Sequence, residues 1–163
     1  MNALDVLKYG DGEVAKATDG LDDWNTPGVT TSWSAKDVLA HLASFERFLE
    51  EAMLELLGRG PTPTLDAMRA DAAGFNAAQV GSRRNASLDA VRREYDEAHA
   101  RVMGLAAEIG PDRLRQPGTI AWYGPSYALD DLIVYANYAH KREHCAQIRA
   151  FRLRHAPARR AGE

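Results

Sequence analysis

Three histidines carry the clearest chemical potential in this sequence: His41, His140 and His144. The last two are four apart, so on a helix their rings lie side by side, with Cβ atoms about 5–6 Å apart, near enough to share one metal ion. A helix over 129–154 places them in a single stripe with Leu129, Ile133, Ala136, Gln147 and Phe151, where they interrupt a largely apolar seam. A buried imidazole needs partners for both nitrogens, so such a pair calls either for polar neighbours or for an ion. His41 sits on the shoulder of another apolar face and could look toward them.

Three neutral imidazoles around one ion would leave positions open for water or substrate, and a metal so held makes a nucleophile of water or a thiol near neutral pH. The donor set leaves zinc, nickel, iron and manganese open. His99, beside Glu97 and Arg101, reads as solvated, and His155 as part of a frayed end. Lys141 and Glu143 are expected to point away from the seam, Glu46 and Tyr138 are available near it, and no residue is assigned as a catalytic base. The run His140-x-x-Glu143-His144 also spells the inverted zinc-peptidase signature. That reading needs a further ligand downstream and a mixed α/β surround, and the sequence offers neither.

The elements that must position these residues are helical. The first spans about 3–21, with Leu4, Leu7, Val14, Ala17 and Leu21 on one face, weakened by Gly10 and Gly12. After a loop through Pro27-Gly28, Ser34 caps a second helix with Asp37 three residues on, and Gly58 stops it. Its inward stripe is Val38, Leu39, Leu42, Phe45, Leu49, Met53 and Leu56. A shorter helical piece is expected within 64–84. Ser87 then opens a third long helix bearing Leu88, Val91, Tyr95, Ala98, Val102, Leu105 and Ile109, which ends at Gly110-Pro111. Segment 112–127 is rich in proline, glycine and aromatic residues; a loop of that size is a lid or a binding loop. Asp130 and Asp131 suit the first turn of the final helix. Four long helices with no convincing strand predict an all-α four-helix bundle with a short extra helix between the second and third. Trp33, Trp122, Tyr123 and Tyr127 are candidates to line its mouth, or simply to plug the bundle end.

Composition agrees with one soluble domain, assigned to 1–155, followed by a basic tail at 156–163. A net charge of −3 gives no concentrated basic face for nucleic acid, the arginines from Arg149 through Arg160 reading as a solvated end. No run approaches the roughly 18 apolar residues of a membrane span. Cys145 is the only cysteine, which excludes an intrachain disulfide and, with no signal-peptide pattern at the start, points to the cytoplasm.

The run Trp33-Ser34-Ala35-Lys36-Asp37-Val38-Leu39-Ala40-His41-Leu42 resembles the second-helix signature of the DinB/YfiT-like superfamily of four-helix-bundle proteins. Asp130-Asp131-Leu132-Ile133, followed by His140-x-x-x-His144-x-x-Gln147-Ile148-Arg149, is similar to its last helix. The resemblance spans essentially the whole chain. It implies one divalent metal per chain, held by His41, His140 and His144. It further implies a metal-dependent enzyme acting on a small molecule, a thiol-dependent transferase or isomerase or a hydrolase, with a low-molecular-weight thiol such as mycothiol, bacillithiol or glutathione, and a homodimer. The second domain of the mycothiol-dependent isomerases is missing here, which places that one activity in doubt. A metal-free or structurally metallated module that sequesters a small molecule is the alternative.

Overall fold

A computed structural model describes residues 2–155, and all of its regular structure is helical: α1 (Ala3–Thr18), α2 (Ala35–Leu56), α3 (Pro63–Ala70), α4 (Ala72–Ser82), α5 (Leu88–Ile109), the single turn α6 (Pro111–Leu114), α7 (Leu129–Leu132), a π-helical segment (Ile133–Ala139) and α8 (His140–His155). The expected tail at 156–163 lies outside the described residues. The capping box at Ser34 forms as its letters predict: the Ser34 hydroxyl accepts from the Asp37 amide at 3.2 Å and Asp37 accepts from the Ser34 amide at 2.9 Å. At the far ends of α2 and α5 stand Gly58 and Gly110 with φ of 68° and 79°, a backbone region that glycine enters without strain. Where one short helix was expected within 64–84 there are two. Asp71, whose φ of −149° and ψ of 79° are non-helical, breaks them and caps the second by accepting from the Gly74 amide at 2.9 Å.

The four long elements form an all-α four-helix bundle of DinB-like type, α2 lying chiefly along α5 and α1 along the continuous run from α7 to α8. Its apolar core falls into two clusters. One gathers Leu7, Leu49, Met53, Val102 and Leu132; the other gathers Val14, Leu42, Val91, Ile148 and Phe151. Between them each long element contributes something polar or small: Gly10 and Asp11 from α1, Glu46 from α2, His99 from α5, and Asn137 and Lys141 from the last run. Lys141 Nζ stands 2.6 Å from Glu46 Oε1, an ion pair rather than a well-aligned hydrogen bond, and both side chains are essentially inaccessible. Asn137 Nδ2 donates to the same carboxylate at 2.6 Å and His99 Nδ1 lies 3.1 Å from its other oxygen.

Two expectations are corrected here. Lys141 does not point away from the seam, and His99 is not solvated but half-buried against Glu46. The cause lies in the π segment. One extra residue in that turn advances the inward stripe by a position, so the buried residues run Ile133, Asn137, Lys141, Cys145 and Ile148, with His140 moved to the shoulder. Gly10, which costs α1 helix propensity, is where the Lys141 stem passes: a Cβ there would stand 3.2 Å from Lys141 Cδ and 3.5 Å from Tyr138. Gly10→Leu is expected to overpack this crossing and lower stability by about 1–3 kcal/mol, read as a lower urea midpoint.

Candidate metal centre

Two turns after its Ser34 cap, α2 presents His41, 2 % exposed, to the face where α8 begins. His41 Nε2 lies 2.8 Å from His140 Nε2, which in turn lies 3.0 Å from His144 Nε2. The three ring centroids are 4.7–4.8 Å apart, at steep angles to one another, so the rings aim at a common point instead of stacking. Gln147 Oε1 accepts from Nδ1 of His144 at 2.8 Å; that partner assigns the tautomer and leaves the Nε2 lone pair of His144 facing the centre.

The proton count makes this arrangement informative. With His144 protonated at Nδ1, a proton on Nε2 of His41 satisfies its contact with His140 but leaves the lone pairs of His140 and His144 opposed, and a proton on Nε2 of His140 has to be divided between two acceptors. A shared cation removes that conflict. Two nitrogens bonded to one ion at about 2.0–2.1 Å stand roughly 2.9–3.4 Å apart, depending on the bond angle, and the observed separations sit at the lower edge of that range. Electrostatics favour the same state. Burial first, then the neighbouring His140 and His144, hold His41 down at about 3; burial, then His144 and Lys141, hold His140 at about 4. Burial lowers His144 as well, against the opposing effect of the hydrogen bond it donates to Gln147. All three rings are therefore neutral near pH 7, the form that binds metals.

Among the described residues, His41, His140 and His144 are the group of possible ligands whose donor atoms all fall within 4.8 Å of one another, and they comprise three donors. A structural zinc site normally closes with four protein ligands, so this set fits an open site. Trp33 and Phe45 wall it, Trp33 at 4.9 Å from the His41 ring and 6.4 Å from that of His144, Phe45 at 4.3 Å from His140. Trp33 is fixed from behind, its carbonyl accepting from the amides of Gly28 and Val29 at 3.1 and 3.0 Å.

The other proposed lining residues lie further along the bundle. Trp122 packs on Phe48, donates to Glu55 at 3.0 Å and lies under Arg69, and Tyr123 and Tyr127 continue from it. Phe45 and Phe48 stand between those three rings and the histidines. Because the Ser34 cap fixes the first turn of α2 and the end of the Trp33 loop together, Ser34→Ala is expected to cost about 1 kcal/mol, measurable as a reduced unfolding free energy in urea.

The buried partners Glu46, Lys141, Asn137 and His99 were missed as a set. A usable signal existed for two of them. Glu46 follows Leu42 by four and precedes Leu49 by three, and His99 stands in the same relation to Tyr95 and Val102, so each falls on its helix's apolar stripe.

Comparison with known proteins identifies the lineage. The sequence pattern described as the mycothiol maleylpyruvate isomerase N-terminal domain matches residues 8–130, a stretch that includes His41 and stops short of His140 and His144. Neither the curated proteins nor the solved structures contain a significant match. Since that match covers most of the chain, the protein belongs to the mycothiol maleylpyruvate isomerase N-terminal domain family, within the DinB/YfiT-like superfamily.

Proposed function

We propose that His41, His140 and His144 hold one divalent metal ion in an open site, and that the protein uses it in an enzymatic reaction on a small molecule, with a low-molecular-weight thiol of the mycothiol kind as nucleophile. The observation that carries this reading is the convergence of three neutral Nε2 nitrogens with too few protons to satisfy one another. Three imidazoles suit zinc, nickel or iron better than magnesium or calcium. An ion so held would supply Lewis acidity, lowering the pKa of a thiol or water set against it. The chain's own residues supply the rest. Gln147 orients His144, Trp33 and Phe45 keep bulk water from the rings, and the partly exposed His140 marks the side from which a ligand enters. The family match supports the thiol, and the three-donor set supports the enzyme over a structural staple.

Protein made without a histidine tag is expected to contain close to one divalent metal per chain by elemental analysis, and His144→Ala to contain essentially none. Full metal content in that variant overturns the assignment.

A further inference from the structure

We infer that Lys141 is a positioning residue for the metal centre: its ion pair with Glu46 fixes where the last helical run takes up its extra residue, and that choice turns His140 out of the core and toward His41. The inference rests on the metal reading above, because it says what aims one of the three ligands.

Ile133 opens the π segment and is fully buried. His140 follows it by seven residues and Lys141 by eight. At about 100° per residue, a regular α-helix would bring His140 within about 20° of the face of Ile133 and leave Lys141 about 80° away. The structure buries them the other way round, with Lys141 1 % exposed and His140 on the shoulder. Asn137, four residues from Ile133, stays within about 40° of that face with or without the extra residue, so it does not distinguish the two arrangements. Neither do Cys145 and Ile148, both buried, because they keep their places if the extra residue is taken up after His140 instead of before it. What differs is whether position 140 or position 141 meets Glu46.

Glu46 is inaccessible, and its carboxylate can engage either kind of partner: Lys141 Nζ lies 2.6 Å from one oxygen, and an imidazole, that of His99, lies 3.1 Å from the other. An ammonium answers a buried carboxylate with a full charge and three N–H groups, where a neutral imidazole offers one N–H. With Lys141 present, position 141 therefore takes the inward place. Gly10 fits that choice, since a Cβ there would stand 3.2 Å from Lys141 Cδ. Without the ammonium, His140 is the next group on the run able to meet Glu46. Turned inward, it leaves Ala139 on the shoulder that faces His41, and the ligand set shrinks to His41 and His144. A π turn is rare in helices and frequent at functional sites. Here it stands directly ahead of a ligand.

The test measures the zinc affinity of the full chain at pH 7 by competition with a chromophoric chelator. Lys141→Ala is expected to bind zinc at least tenfold more weakly than the wild type, although all three histidines remain. Deleting Val134, an exposed residue of the π segment, brings position 141 to seven residues from Ile133, so that a regular helix turns it inward unaided. Lys141→Ala in the shortened chain is therefore expected to regain the wild-type affinity within threefold, which a general loss of stability would not allow. A loss under tenfold in Lys141→Ala, or one that the deletion does not repair, overturns the inference. If Lys141→Ala does not fold, the shortened variant alone decides, by the same threefold criterion. If the wild-type chain binds no zinc, the metal reading has failed instead, and the place of the extra residue is read without metal. Lys141→Cys combined with Cys145→Ala puts the only thiol at position 141, and its reaction with an aromatic disulfide reagent is expected to be at least tenfold slower with Val134 deleted than with Val134 present. A smaller difference overturns the inference.

Discussion

Replacing Glu46 with alanine is expected to destabilise the fold by about 3–5 kcal/mol, measured by urea unfolding of metal-free protein at pH 7. The size of the effect comes from what is left behind. Lys141 has 1 % of its side chain exposed and its ammonium lies 2.6 Å from Glu46 Oε1, with the face of Tyr95 5.2 Å away. Without the carboxylate, a charge enclosed between two apolar clusters has no counterion, and Asn137 and His99 lose their acceptor. The double variant Glu46→Leu, Lys141→Met is expected to recover most of that loss, since a buried pair exchanged for apolar residues of similar volume is often neutral or better. A double variant no more stable than Glu46→Ala would mean that the two charges do not depend on each other.

The same pair makes the fold acid-labile. Burial alone would raise the Glu46 pKa, but Lys141 and His99 outweigh it and hold the carboxyl at about 2, against 4.5 in the unfolded chain. A folded value below the unfolded one favours the ionised form. The contribution is therefore complete above pH 4.5 and is lost as pH falls toward 2.

Much of this molecule is legible in its letters, and the chief exception is its buried polar layer. The capping box at Ser34, the stops at Gly58 and Gly110 and the stripes of α2 and α5 follow from rules that act over a few residues. His140 and His144 are neighbours on any helix, and His41 meets them because α2 and the last helical run share the bundle. The polar layer is different. Nothing local in Ile133–Ala139 announces a π turn, and without it a 3.6-residue period puts Ala136 and His140 inside and Lys141 on the outside. Once the stripe is advanced by one position, Asn137 and Lys141 face Glu46 and His99, and each of these four otherwise puzzling residues has a partner. Gly10 joins them: it reads as a weakness of α1 when taken alone and as clearance for Lys141 once the four helices are together. Trp33 and Trp122 show the limit of reasoning from residue type. Both are aromatic residues beside a helix start or a long loop, yet Trp33 is held against the histidines by the Gly28 and Val29 amides, while Trp122 is drawn toward Glu55 and Arg69.

Saturating divalent metal is expected to raise the melting temperature of the wild-type chain by about 5–10 °C at a hundredfold excess over its dissociation constant, and to leave His41→Ala close to its metal-free value. An ion bound only by the folded state contributes about 2.7 kcal/mol at that excess, and a chain of this size shifts by roughly 2–4 °C per kcal/mol. His41 is the informative position because it is the ligand from the other helix. α2 packs chiefly on α5, and apart from this cluster and the Glu46–Lys141 pair its meeting with α8 is sparse, so an ion shared among the three rings would add a second tie between the two elements. His140 and His144 without His41 can still hold metal weakly as a pair on one helix, but that pair crosses no interface and resists only the unwinding of its own turn. A melting shift in His41→Ala equal to that of the wild type would therefore locate the ion outside the space between α2 and α8, and the convergence of the three Nε2 atoms would be a packing arrangement with no ligand.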